Sequence, residues 1–142
     1  MFLLDTNLVS ELRKAPSGRA NPRVVTWAAA EPPEGLFLSA ISVLELELGI
    51  LLKERRDPDQ GRRLRAWLEH QVLPGFNDRI LPVDTAVARR CAALHVPDPG
   101  SERDALIAAT ALVHRLTLVT RNTRGFEATG VSLINPFDAP SA

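Results

Sequence analysis

Three acidic residues in this 142-residue chain stand where a carboxylate can reach a functional crevice. Asp5 comes directly after the apolar run at residues 1–4, in the opening stretch MFLLDTNLVSELR. Such a run suits a strand buried on both faces, and the residue after it lies at the strand's carboxyl end. In open α/β sheets, ligands bind along that edge. Glu45 follows the run Leu36-Phe37-Leu38, in the first turn of an apolar-rich segment at 40–55. Asp104 falls in the first turn of an alanine-rich segment at 102–116, which leads into Leu118-Val119-Thr120. Three carboxylates from distant parts of the chain can thus meet at one sheet edge. Oxygen donors of this type suit Mg²⁺ or Mn²⁺, and a partial shell of acids leaves room for water and phosphate.

Each acid also has a structural reading. Asp5 can cap a helix. Glu45 and Asp104 each stand three residues after a serine, Ser42 and Ser101, which is the spacing of a capping box. A capping acid can still point into a cleft, so both readings stay open. Asp84 has the same look, with the cap as its first reading. Thr6, Asn7 and Thr120 can orient the acids or a water, or they can satisfy local turns. His70, His95 and His114 are scattered over helical segments and read as surface or satisfied core residues.

The elements that must position these residues follow from apolar periodicity and punctuation. Strands are expected at 1–4, 36–38, 80–83, 118–120 and 131–134. Pro82 argues for an edge position of the third. A short helical turn is expected at 8–13 and a helix from Asn21-Pro22 to about Ala30. Others are expected at 40–55, from Asp57-Pro58 to about Leu73, from Asp84 to about Leu94, and at 102–116. A short turn or helix falls at 122–128 and a tail at 136–142. Strands alternating with helices argue for a parallel sheet with helices on both faces. With no linker and no repeat, residues 1–142 read as one domain.

Composition fits an ordinary globular protein, with 45% hydrophobic and 24% charged residues. No apolar run is long enough to span a membrane, and the N-terminus lacks the pattern of a signal peptide. Cys91 is the single cysteine, which excludes an internal disulfide and a cysteine zinc site. A cytoplasmic location is expected. The formal net charge is zero, so there is no global pull toward nucleic acid. The cations are nonetheless fifteen Arg and only two Lys, and arginine suits bidentate phosphate contacts. Genome composition gives the same bias. Arg103, Arg121, Arg124 and the cluster at 55–65 are candidate phosphate contacts, with a solvated helix face as the alternative for the cluster.

Taken in order, DTN after the opening strand, SAISVLELELG, DALIAATAL, LTLVTRN, FEATGV and INPF resemble PIN domains. Within that family they resemble the VapC and FitB-like toxins of bacterial type II toxin–antitoxin pairs. The resemblance runs over nearly the whole chain. It implies a PIN-like three-layer α/β/α fold with a five-stranded parallel sheet of order 3-2-1-4-5. It implies an Mg²⁺-dependent endoribonuclease, with Mn²⁺ as a substitute, leaving 5′-phosphate and 3′-hydroxyl ends. It also implies a homodimer inhibited by a VapB-like antitoxin. Asp5, Glu45 and Asp104 match three of the family's metal-binding acids by position.

At the fourth acidic position the chain departs. Family members usually carry an Asp at the position of Asn122 or at that of Gly125, and neither is acidic here. Asn122 keeps a carbonyl oxygen that can ligate a metal or hold its water; Gly125 offers no side chain. The alternative is a PIN-fold module that holds RNA or a partner without cutting it. Receiver-type phospho-acceptor domains and Asp-nucleophile phosphatases also place acids on such an edge. They normally need a lysine near the late strands, and none follows Lys53. The Asp-x-Asp pattern of those phosphatases is also absent, since position 7 is Asn.

Overall fold

The computed structural model describes residues 1–138. Five short strands build one parallel sheet in the order β3-β2-β1-β4-β5, as the resemblance implied. They are β1 Phe2–Leu4, β2 Leu36–Ser39, β3 Ile80–Leu81, β4 Thr117–Val119 and β5 Leu133–Ile134. The helices are α1 Thr6–Leu12, α2 Pro22–Ala30, α3 Ala40–Arg56, α4 Pro58–Trp67, α5 Leu73–Gly75, α6 Thr85–Leu94 and α7 Glu102–His114.

The sheet separates two apolar cores, and the period of two along each strand sends alternate residues into them. In β1, Leu4 joins Leu8, Val24, Leu46 and Leu68 in one core, while Leu3 joins Ile107, Ala111 and Phe126 in the other. β4 repeats the pattern in register. Val119 pairs with Leu4 and faces the first core, while Leu118 pairs with Leu3 and faces the second. The central strands are therefore clamped on both sides, and what lies just beyond their carboxyl ends is rigidly placed.

Several element limits differ from expectation. α1 starts at Thr6, not Leu8, because Asp5 caps it directly. The capping box at Ser42–Glu45 does not form. Ser39, the last extended residue before α3, is the cap, and its Oγ accepts from the Ile41 amide at 3.0 Å. β3 stops at Leu81, since Pro82 has no amide hydrogen to give the ladder. β4 runs over 117–119, although the Thr120 amide still reaches Ile134 O at 2.9 Å. β5 is confined to its two paired residues and begins only after Gly130 has reversed the chain at φ 76°. The helix opened by Asp57 passes from α4 through a π-helical turn, Leu68–Val72, into α5. Pro74 explains the turn: its ring would strike the carbonyl four residues back, and wider π bonding there relieves the clash. The tail expected at 136–142 lies outside the described residues beyond Asp138.

α3 and α4 approach closely. A Cβ at Gly61 would lie 2.6 Å from Glu54 Cα, so only glycine fits. Arg65 ties the pair together through Glu47 and through Glu54 at 3.1 Å, and Arg62 pairs with Asp59. Those two arginines of the 55–65 cluster are thus engaged within the fold. Among the described residues, no helix is long and apolar enough to cross a membrane.

Candidate active site

Asp5 is the first residue past β1, and its amide extends the ladder by donating to Val119 O at 2.9 Å. Its carboxylate is almost fully buried. Oδ1 accepts from the Thr6 amide at 2.8 Å. Oδ2 accepts from Thr120 Oγ at 2.7 Å and from Asn7 Nδ2 at 3.3 Å. The capping reading of Asp5 is therefore correct, and so is the reading that places it in a crevice. Thr120, itself fully buried, also accepts from the Asn122 amide at 3.0 Å and so links the acid to the loop after β4.

Glu45 projects from the second turn of α3, not the first as expected, because the Ser39 cap starts the helix at Ala40. Its Oε1 accepts from Thr6 Oγ1 at 2.7 Å, and that hydroxyl also meets Ser42 Oγ at 3.1 Å. Its Oε2 lies 3.7 Å from Arg103 Nη1. Asp104 sits in the first turn of α7, which Ser101 caps through the Asp104 amide at 3.5 Å. The Ser101 half of that capping box is real. It uses the backbone of Asp104 and leaves the carboxylate to the cleft.

All three acids line one open cleft of about 480 Å³ at the carboxyl edge of the sheet. Burial raises the proton affinity of Asp5 above the ordinary carboxylate value, and the charges of Asp104 and Glu45 add to it; the Thr120 and Thr6 hydrogen bonds oppose the shift. Asp104 is raised for the same reasons, burial first and Glu45 second. This is a half-buried excess of negative charge in an all-oxygen donor set, which a hard divalent cation would relieve. Among the described residues, no three His, Cys, Asp or Glu side chains stand close enough to enclose an ion by themselves. Glu45 is drawn aside by Thr6 and Arg103. The arrangement suits an ion held by Asp5 and Asp104 with water completing its shell.

Other expected residues divide. Thr6, Asn7 and Thr120 do touch the acids, so local turn bonding does not exhaust their role. Asn122 lines the cleft, but its Oδ1 accepts from the Gly125 amide at 3.2 Å. A Cβ at Gly125 would stand 2.4 Å from Asn122 Nδ2, so the two positions are matched to one another. Arg121 lines the cleft, Arg103 borders it through Glu45, and Arg124 opens a 3₁₀ turn outside it. Asp84 caps α6 through Val87 N at 2.9 Å, as expected. His70 and His114 are exposed, while His95 Nδ1 accepts from the Gly100 amide at 3.1 Å. Sequence reasoning missed Ser42, Ser10, Glu11, Lys14 and Phe137. Asn7, Ser10, Glu11 and Lys14 recur at helical spacing, a polar stripe that could have revealed which side of α1 faces the cleft.

The PIN domain family model matches residues 2–131. VapC ribonuclease Y4jK of Sinorhizobium fredii is 40% identical over 146 residues, covering 97% of this chain and 99% of that protein. Toxin FitB of Neisseria gonorrhoeae is 42% identical over 143 residues, covering 96% and 99%. The crystal structure of FitAcB from Neisseria gonorrhoeae superimposes with a TM-score of 0.88 at 38% identity, covering 98% of this chain and all of that one. A family model matched over most of the chain, and sequence and fold shared over nearly its whole length, have one explanation: the chain belongs to the PIN-domain family, among relatives named as VapC ribonucleases and FitB toxin.

Proposed function

We propose that this protein is a divalent-metal-dependent endoribonuclease and the toxin of a type II toxin–antitoxin pair. The observation that carries the reading is the convergence of Asp5, Glu45 and Asp104 on one cleft, in a chain 40% identical to a VapC ribonuclease over nearly its full length. Asp5 and Asp104 would hold Mg²⁺, with Mn²⁺ as a substitute, and Glu45 would join directly or through water. A bound ion of this kind supplies Lewis acidity to a phosphate oxygen and makes a water more acidic. The chain's own residues do the positioning. Thr120, Asn7 and the Thr6 amide fix both oxygens of Asp5, so it needs no reorganisation when substrate arrives. Thr6 Oγ1 steers Glu45, a group able to accept the proton of an attacking water. Hydrolysis would leave 5′-phosphate and 3′-hydroxyl ends.

The partner is a small antitoxin of VapB or FitA type, lying across the acid cleft of a homodimer in the cytoplasm. Support comes from relatives solved as FitAB bound to a DNA fragment, at 35% identity and TM-score 0.86, and as a toxin–antitoxin complex from Klebsiella pneumoniae, at 30% identity. A second reading, a PIN fold that binds RNA without cutting it, is favoured by one observation: the fourth acidic position is Asn122, whose amide oxygen is occupied by Gly125. One experiment separates the two. Purified protein is incubated with a pool of structured RNAs, with and without Mg²⁺, and the ends are sequenced. Cleavage that needs Mg²⁺ and vanishes in Asp5→Asn is the expected result. RNA retained but uncut at every metal concentration establishes the binding module instead.

A further inference from the structure

Arg121 differs from every other cation near the cleft. Lys14 is paired with Glu11 at 3.3 Å, and Arg103 with Glu45 at 3.7 Å. Arg124 lies outside the lining. The guanidinium of Arg121 has no ion-pair or hydrogen-bond partner among the described residues. It lies instead over the Phe137 ring, 5.0 Å from the centroid. The backbone beneath it is held on both sides: its amide donates to Asn7 Oδ1 at 3.3 Å, and its carbonyl accepts from Asn135 Nδ2 at 3.4 Å. Phe137 is fixed in turn, its amide bonded to Asn135 Oδ1 at 3.0 Å and one side packed on the first apolar core.

We propose that Arg121, supported on Phe137, anchors a backbone phosphate of a single-stranded RNA beside the three acids. The proposal rests on the ribonuclease reading and adds the group that holds the strand. The Phe137 ring supports the guanidinium of an exposed residue whose N–H groups have no partner among the described residues, and such groups match a phosphate bidentately. The ring also restricts the rotamers of a long side chain before the ligand arrives, which lowers the entropic cost of binding. A cleft lined by four carboxylates, Glu11 included, repels polyanions, so a strand needs a fixed cation there. Asn7 connects the two functions, because one end of its amide reaches Asp5 and the other holds the Arg121 backbone.

The test measures binding apart from cleavage. Affinity for a short fluorescein-labelled single-stranded RNA is measured by anisotropy across a salt series, with every variant in an Asp5→Asn background. Arg121→Ala should weaken binding about tenfold to a hundredfold. It should also flatten the slope of log K against log salt by about 0.7, the share of one phosphate contact on a single strand. Arg121→Lys should keep the slope and recover only part of the affinity. Phe137→Leu should keep the slope and cost about two- to fivefold, the size of a lost cation–π contact. Arg124→Ala should change neither quantity. With Asp5 restored, Arg121→Ala should raise KM and leave kcat unchanged. The anchor is overturned if Arg121→Ala keeps parental affinity and slope, if Arg124→Ala is as damaging, or if the Asp5→Asn protein does not bind RNA. If the affinity series behaves as expected but the unmodified protein cuts no RNA in Mg²⁺, the ribonuclease reading falls and the anchor stands.

Discussion

Thr120→Val isolates the hydrogen bond on which the acid cleft is built. Valine keeps the β-branched shape at a fully buried position beyond β4, so the change removes a hydroxyl and little else. Three contacts are lost: the 2.7 Å donation to Asp5 Oδ2, the 3.0 Å bond from the Asn122 amide and the weak 3.4 Å bond from Asn7. A bond to an ionised group is worth about 1.5–3 kcal/mol. The Asn122 amide is near solvent and can find water, so it adds little. The expected loss is therefore about 2–3 kcal/mol at neutral pH, which a domain of ordinary stability survives. The loss depends on pH. Thr120 lowers the proton affinity of Asp5, so the valine variant raises it further. Stability is then lost as pH rises through the ordinary carboxylate range toward the folded-state value, and the deficit shrinks once acid protonates Asp5 in both states. Urea unfolding at neutral and acid pH, repeated with Asp5→Asn alone and with both changes, closes a double-mutant cycle. A coupling of about 1 kcal/mol or more is expected. A neutral-pH loss below about 0.5 kcal/mol, or strict additivity with Asp5→Asn, would refute the claim that this bond organises the site.

Three further outcomes follow from the same geometry. In a chelator, Asp5→Asn should melt higher than the unmodified protein at neutral pH, because burial and neighbouring acids penalise the charge. The gap should open as pH rises above the ordinary carboxylate value, each tenfold shift in proton affinity being worth about 1.4 kcal/mol. Added Mg²⁺ should raise the melting temperature of the unmodified protein only. Asn122→Asp keeps an acceptor for the Gly125 amide and adds a further negative charge to the cleft, so calorimetry should show tighter Mn²⁺ binding, with cleavage not reduced; weaker binding would contradict the electrostatic account. Gly61→Ala should destabilise the fold by about 1–3 kcal/mol in denaturant titrations, since its methyl meets the backbone of Glu54 and the two helices must part.

The acids were legible because their signal is local. An apolar run followed at once by Asp5 announces a strand end, and Asp104 announces the first turn of a helix. The strand order came with the family resemblance; alternation alone required only a parallel sheet. Other features depend on partners far along the chain. SAIS holds two serines three residues apart, and either suits a cap; only the exit of β2 selects Ser39. The length of β5 is set by what the neighbouring strand can pair with. The π-helical turn reflects a conflict between Pro74 and a helix held in place by Leu68 and Val72 in the core. The stack of Arg121 on Phe137 requires the chain to return across the cleft after β5. No periodicity announces it, and the sequence from Pro136 onward reads only as a tail.

The bond from Thr120 to Asp5 spans 115 residues, and this separation orders events during synthesis. The ribosome delivers Asp5 first and Thr120 on the order of ten seconds later, at about 5–20 residues per second. Through that interval β1 lacks β4, the strand whose register with Phe2, Leu3 and Leu4 fixes the sheet's centre. A nascent chain ending before Thr117 therefore carries all three acids without a cleft for them to line. Fragments that lack β4 and Thr120 should therefore be inert, so the site exists only once that strand has been made and has paired with β1.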